Sequence, residues 1–165
     1  MEYCLMPVKL NGSTSGSVTI NAPAVAGTNT LTLPAVTDTL VGLAATQTLA
    51  SKTLTNPSIN DYTEGVTVIG NSGTTQTLSL TAGTVQTVTM TGNCTFTMPT
   101  ATAGKSFILI ATQDGTGSRT ATFTSVKFPN GVAPTLTTTA TTGRDILTFV
   151  SDGTNWYGTI AQAFA

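Results

Sequence analysis

The chain has 165 residues, long enough for one domain or two small ones. Charged residues make up only 8% of it, about a third of the usual share, and none is a histidine. Six scattered Lys and Arg cannot track a phosphate backbone, so nucleic acid is not an expected partner. The lack of histidine removes Ser-His-Asp and Cys-His catalysis and every His-ligated metal site.

Threonine supplies about a quarter of the residues. It is β-branched, stiff at its first side-chain torsion, and suited to a pleated surface. With 16 Gly and 7 Pro as punctuation, the composition predicts an all-β protein. A hydrophobic share of 39% and a net charge of -1 argue against disorder. So little charge also gives little self-repulsion, which suits a protein packed densely in an assembly. Cys4 and Cys94 do not make a disulfide framework. No N-terminal signal and no bilayer-length apolar run is present, so the expectation is synthesis in a cytoplasm, no Sec export and no membrane partner. The glycan-acceptor patterns at Asn11 and Asn93 therefore read as chance.

Residues 1–10 form a short lead and 11–16 a Gly/Ser loop. Two imperfect repeats follow, 17–27 and 28–38, with Pro-Ala-Val at 23–25 and again at 34–36. Each has a short alternating strand, Val18, Ile20 and Ala22 in the first and Leu31 and Leu33 in the second, followed by Pro and a turn. Such units suggest a stacked or intertwined shaft; an ordinary pair of edge strands would look the same. Residues 40–54 carry Leu40, Leu43, Ala44 and Gln47 at helical spacing, but their threonine content argues against a helix. Asn56-Pro57 ends whatever precedes it.

The polar stretch 60–65 predicts a boundary, giving an N-terminal extended β or assembly segment over 1–60 and a C-terminal β-sandwich over 61–165. Only Tyr3 and Tyr62 among ten aromatics precede Phe96. The first segment thus has only small aliphatic side chains to bury, and burying a Leu returns about 1.5–3 kcal/mol against about 1–2 kcal/mol of backbone entropy per ordered residue. Those side chains gain burial only against other chains. Val18, Ile20, Leu31, Leu33, Leu40, Leu43, Leu49 and Leu54 are therefore the candidate assembly contacts.

The second half reads as short strands between turn signals. Residues 66–70 and 77–81 come first. Over 85–98, Val88, Met90, Cys94, Phe96 and Met98 share one parity, broken at Gly92-Asn93, which predicts a hairpin with one inner face. Residues 106–112 are nearly continuously apolar and read as a central strand covered on both faces. Asp114-Gly-Thr-Gly and Pro129-Asn-Gly are turns, and 146–150 with 156–160 form a last hairpin across Asp152-Gly153. The expected domain is a sandwich or jelly-roll-like fold.

Candidate chemistry is sparse. Cys94 lies on the apolar parity and reads as a small core residue. The seven acids are Glu2, Asp38, Asp61, Glu64, Asp114, Asp145 and Asp152, most of them placed as turn caps. Only Asp61 and Glu64 are close in sequence, and a polar hinge explains them better than a glycosidase pair. One Asp per loop at 114 and 152 is too few for calcium's 6–8 oxygens. Trp156-Tyr157 has the rings to stack a sugar, though a terminal strand commonly buries such a pair. No enzyme activity, cofactor or metal is expected.

Residues 37–42, Thr-Asp-Thr-Leu-Val-Gly, and 48–59, Thr-Leu-Ala-Ser-Lys-Thr-Leu-Thr-Asn-Pro-Ser-Ile, resemble a formula of tailed-bacteriophage structural proteins, particularly fibres and capsid-decorating proteins. Residues 11–23 belong to the same idiom, and the half from Thr84 resembles a β domain that often follows it. The resemblance covers most of the chain and brings no catalytic residue. It implies a virion protein made in the host cytoplasm. The first form is a homotrimeric decoration, or cement, protein bound to the major capsid protein. The alternative is a short tail fibre or receptor-binding protein recognising host surface glycan. A fibre of this idiom carries an adaptor, a long shaft and a head, which 165 residues scarcely hold, so length favours decoration.

Overall fold

The structure, a computed structural model, describes residues 8–11, 13–20, 28, 30, 35, 46, 48–50 and 52–164. It divides into two compact units, 1–56 and 57–165.

In the first unit, β1 (Val8–Asn11) and β2 (Ser17–Ile20) form an antiparallel hairpin, with Val8 opposite Ile20 and Leu10 opposite Val18. The predicted strand at Val18 and Ile20 exists, but its partner is the lead segment, which carried no strand in the sequence reading. All eight residues of this hairpin are exposed. An isolated two-stranded hairpin is marginal in water. Most of the second repeat and of the 40–54 segment lies outside the described residues.

The second unit is all β. Its strands are β3 (Val66–Asn71), β4 (Thr75–Thr77), β5 (Val85–Met90), β6 (Cys94–Thr97), β7 (Ser106–Gln113), β8 (Ala121–Phe123), β9 (Val126–Lys127), β10 (Arg144–Ser151) and β11 (Trp156–Phe164). They make a six-stranded sheet, β3-β5-β7-β10-β11-β9, and a three-stranded sheet, β4-β6-β8. The chain alternates between the two sheets from β3 to β8. Each strand lies parallel to the one a coil earlier: Val66 pairs with Val85 and Val85 with Ile108 in the large sheet, Thr75 with Thr95 and Thr95 with Thr122 in the small one. The rest of the large sheet closes with antiparallel β7-β10-β11 and a parallel β9 at the edge.

The inner parity over 85–98 holds, since Val88, Met90, Cys94, Phe96 and Met98 are all buried. The hairpin does not. β5 and β6 belong to different sheets, and Gly92-Asn93 is a corner between them. Period-2 alternation shows which face is buried; it does not say whether the next strand pairs back or crosses to the opposite sheet. The corners are tight because successive coils touch there. A β-carbon on Gly83 would stand 2.1 Å from the Gly65 carbonyl oxygen.

One core lies between the sheets. Phe107 stacks on Phe149 at 4.8 Å and meets the edge of Trp156 at 5.3 Å. Phe123 of the small sheet stacks on Phe96 at 5.2 Å and reaches Phe149 of the large sheet at 5.4 Å. Gly158 leaves room for two rings, because a β-carbon there would meet Phe128 at 2.5 Å and Phe149 at 3.0 Å. The last hairpin is as expected, with Ser151 opposite Trp156. Strand β7 is central in its sheet, but only one face enters this core: Phe107, Leu109 and Ala111 are buried, whereas Ile108 and Ile110 point outward and stay half-buried.

Candidate functional site

Four of the eight candidate assembly residues are described, and all four are exposed: Val18 (64%), Ile20, Leu49 and Leu54. Leu31, Leu33, Leu40 and Leu43 lie outside the described residues. Val8, Leu10 and Ile59 extend the same pattern of large aliphatic side chains left in water. Nothing in the sequence pattern singled out Val8 or Leu10, which only the hairpin register brings beside Val18 and Ile20.

The aromatic pair at the last hairpin is split. Trp156 is 1% exposed and donates its Nε1 hydrogen to the Pro99 carbonyl at 2.8 Å, so its ring belongs to the core. Tyr157 points outward, 41% exposed, and its hydroxyl donates to Asp152 at 2.9 Å. Asp152 also accepts from the backbone N–H groups of Thr154 (2.8 Å) and Asn155 (2.7 Å). The Asn155 and Thr154 amides, and then the Tyr157 hydroxyl, hold the Asp152 carboxyl well below the usual carboxylate range. The same carboxylate pushes the Tyr157 phenol up.

Asp114 is built alike. It accepts from the amides of Thr116 (3.0 Å) and Gly117 (2.9 Å) and forms an ion pair with Arg119 at 2.9 Å. The Arg119 guanidinium is the main cause of its lowered pKa. Both carboxylates therefore face donor hydrogens. Their lone pairs are committed to closing turns, and no cluster of oxygens converges on either loop. Among the described residues, no three His, Cys, Asp or Glu side chains group as metal ligands would.

Glu64 accepts hydrogen bonds from the hydroxyls of Thr84 and, at 3.4 Å, Tyr62, while Asp61 is exposed. Cys94 is buried against the Ser72 carbonyl, and burial pushes its thiol up, away from the reactive thiolate. Asp145, which neighbours neither Gly nor Thr and carried no turn-cap reading, has a different role. It is buried within β10 and accepts from the Thr137 amide and hydroxyl, each at 2.6 Å, and from the Ala163 amide at 3.1 Å. Those donors stand on a loop before β10 and at the end of β11, at no regular spacing from Asp145, so spacing could not reveal them.

Two surfaces escaped the sequence reading. One is an apolar cleft of about 260 Å³ lined by Phe128, Pro129, Val132, Pro134, Thr159 and Ile160. The other is the outer face of the large sheet; its signal was the continuous apolar run of β7. No protein-family model, no curated protein and no solved structure matches the chain.

Proposed function

We propose that this chain is a non-enzymatic structural protein of a tailed-phage virion that acts by binding. Its role in this reading is capsid decoration as a homotrimer. The N-terminal unit attaches to the major capsid protein, and the β domain is carried on the shell's outer side.

The observation that carries the reading is the contrast between the units. The C-terminal unit buries an aromatic core of its own, from Phe96 to Trp156. The described part of the N-terminal unit leaves every large aliphatic side chain exposed, Val8, Leu10, Val18, Ile20, Leu49 and Leu54 alike. Such positions gain stability only against another surface. The likeness of residues 37–42 and 48–59 to a phage formula is the reason for reading that surface as a shell. The tail-fibre alternative draws less support, because burial of Trp156 leaves Tyr157 as the one ring of that pair able to meet a sugar.

The test is binding to shells that lack the protein. The full chain is mixed with such shells and pelleted. Saturable co-sedimentation supports decoration, and recovery in the supernatant at every concentration refutes it.

A further inference from the structure

The chain after β9 runs Phe128-Pro-Asn-Gly through a 3-10 turn at Pro129–Gly131. Asn130 is held there at φ 57° and ψ 15°, a left-handed backbone that favours glycine. Pro129, Asn130 and Gly131 are all exposed. Two hydrogen bonds close the turn. The Gly131 N–H donates to the Phe128 carbonyl at 3.0 Å, and the Val132 N–H donates to the Pro129 carbonyl at 3.3 Å. A β-carbon placed on Gly131 would meet nothing within 4 Å, so solvent reaches the Asn130-Gly131 bond from that side.

We propose that Asn130 is a site of spontaneous deamidation, gated by this turn. The reaction needs only water and its hydroxide. The Gly131 backbone nitrogen gives its proton to hydroxide and attacks Cγ of Asn130. The new C–N bond closes a cyclic imide, the Cγ–Nδ2 bond breaks, and the side-chain nitrogen leaves as ammonia. Water then adds to one of the two imide carbonyls. Opening on the side-chain side gives aspartate, and opening on the main-chain side gives isoaspartate. Glycine at 131 makes the attack accessible, because no side chain shields its nitrogen. Shell binding plays no part in this step.

The turn sets the rate. At ψ 15° the Gly131 nitrogen is turned away from the Asn130 side chain, and its hydrogen is committed to Phe128. Attack therefore waits for the turn to open. An exposed turn held by two bonds, one of them long, opens locally without unfolding the sheets. At the net strength of ordinary hydrogen bonds, two of them slow the reaction about ten- to a hundredfold. The product changes the neighbouring cleft. Phe128, Pro129, Val132 and Pro134 line it, and Asn130-Gly131 links Pro129 to Val132. Deamidation adds a negative charge beside the cleft, on a chain whose formal net charge is -1. Isoaspartate also lengthens the main chain between those walls.

The experiment is timed incubation of the full chain at mildly alkaline pH, native and in guanidinium, followed by tryptic digestion and mass spectrometry. Cleavage after Lys127 and Arg144 releases peptide 128–144, in which Asn130 is the only Asn or Gln, so a mass gain there has one source. The other Asn-Gly pair, Asn11-Gly12, falls in a different peptide. Labelling by an isoaspartyl methyltransferase identifies the isoaspartate product. The fluorescence of buried Trp156 verifies that the native sample stays folded throughout. The expected result is conversion in the native chain, about ten- to a hundredfold slower than in guanidinium. Pro129→Ala, which frees the backbone angle that proline fixes, speeds native conversion about two- to fivefold. A native chain that shows no conversion while the unfolded chain converts fully overturns the site. Equal native and unfolded rates, or a Pro129→Ala rate equal to that of the wild type, overturn the gate.

Discussion

Asp145 and Thr137 are joined twice: the Asp145 carboxylate accepts from both the amide and the hydroxyl of Thr137, each at 2.6 Å. Thr137 Oγ1 in turn accepts from the Ala163 amide at 3.0 Å, and Asp145 accepts from the same amide. A buried strand carboxylate thus pins both the 132–143 loop and the end of β11. Asp145→Ala takes the acceptor from the Thr137 amide and hydroxyl, while the Ala163 amide keeps Thr137 Oγ1, and each orphaned donor costs about 1–3 kcal/mol where it is buried. The expected loss is about 2–4 kcal/mol, read as a lower urea midpoint with an unchanged slope. Thr137→Val, which removes only the hydroxyl, should cost less.

Gly83 and Gly65 carry a close approach between coils. Gly83→Ala would place a β-carbon 2.1 Å from a backbone oxygen that cannot move without shifting β3. We expect a loss of several kcal/mol, on the order of 3 or more. Gly115→Ala, where nothing lies within 4 Å, should stay within about 0.5 kcal/mol. Equal melting temperatures for the two variants would contradict the coil stacking.

Thr67 Oγ1 on β3 is buried without a hydrogen-bond partner. Thr67→Val keeps the shape and removes the orphaned hydroxyl, so stability should rise by about 1 kcal/mol. Thermal unfolding measures the sign directly.

Stability should fall in acid and again in strong base. Asp152 and Asp114 both titrate below their ordinary value of 3.8 in the folded protein. Their contribution is therefore complete above about pH 4 and is lost as pH falls through the folded values. Tyr157 titrates above its ordinary 10.0, so its contribution is complete below that pH and is lost as pH rises through the folded value. Asp152→Asn should flatten both limbs of the melting curve against pH.

Much of this fold was legible because alternation reports burial. Val88, Met90, Cys94, Phe96 and Met98 announced an inner face, and Asp152-Gly153 announced the last hairpin. The coil topology was not legible, because a parallel strand arriving after a sheet crossing reads like the return strand of a hairpin. The run at β7 was read as covered on both faces; Ile108 and Ile110 are instead half-exposed, and that difference exposes the aliphatic outer face. The role of Asp145 was not legible, because its partners come from the 132–143 loop and the end of β11. Leu49 and Leu54 stand exposed in the structure, consistent with side chains that find no core within one chain.

The most direct test of the account is the copy number of this protein in purified virions, measured by densitometry against the major capsid protein. Decoration predicts a fixed ratio of the same order as the capsid protein itself, and co-release with the shell when tails are detached. A copy number matching the tail components, with the protein leaving on the tails, would contradict it.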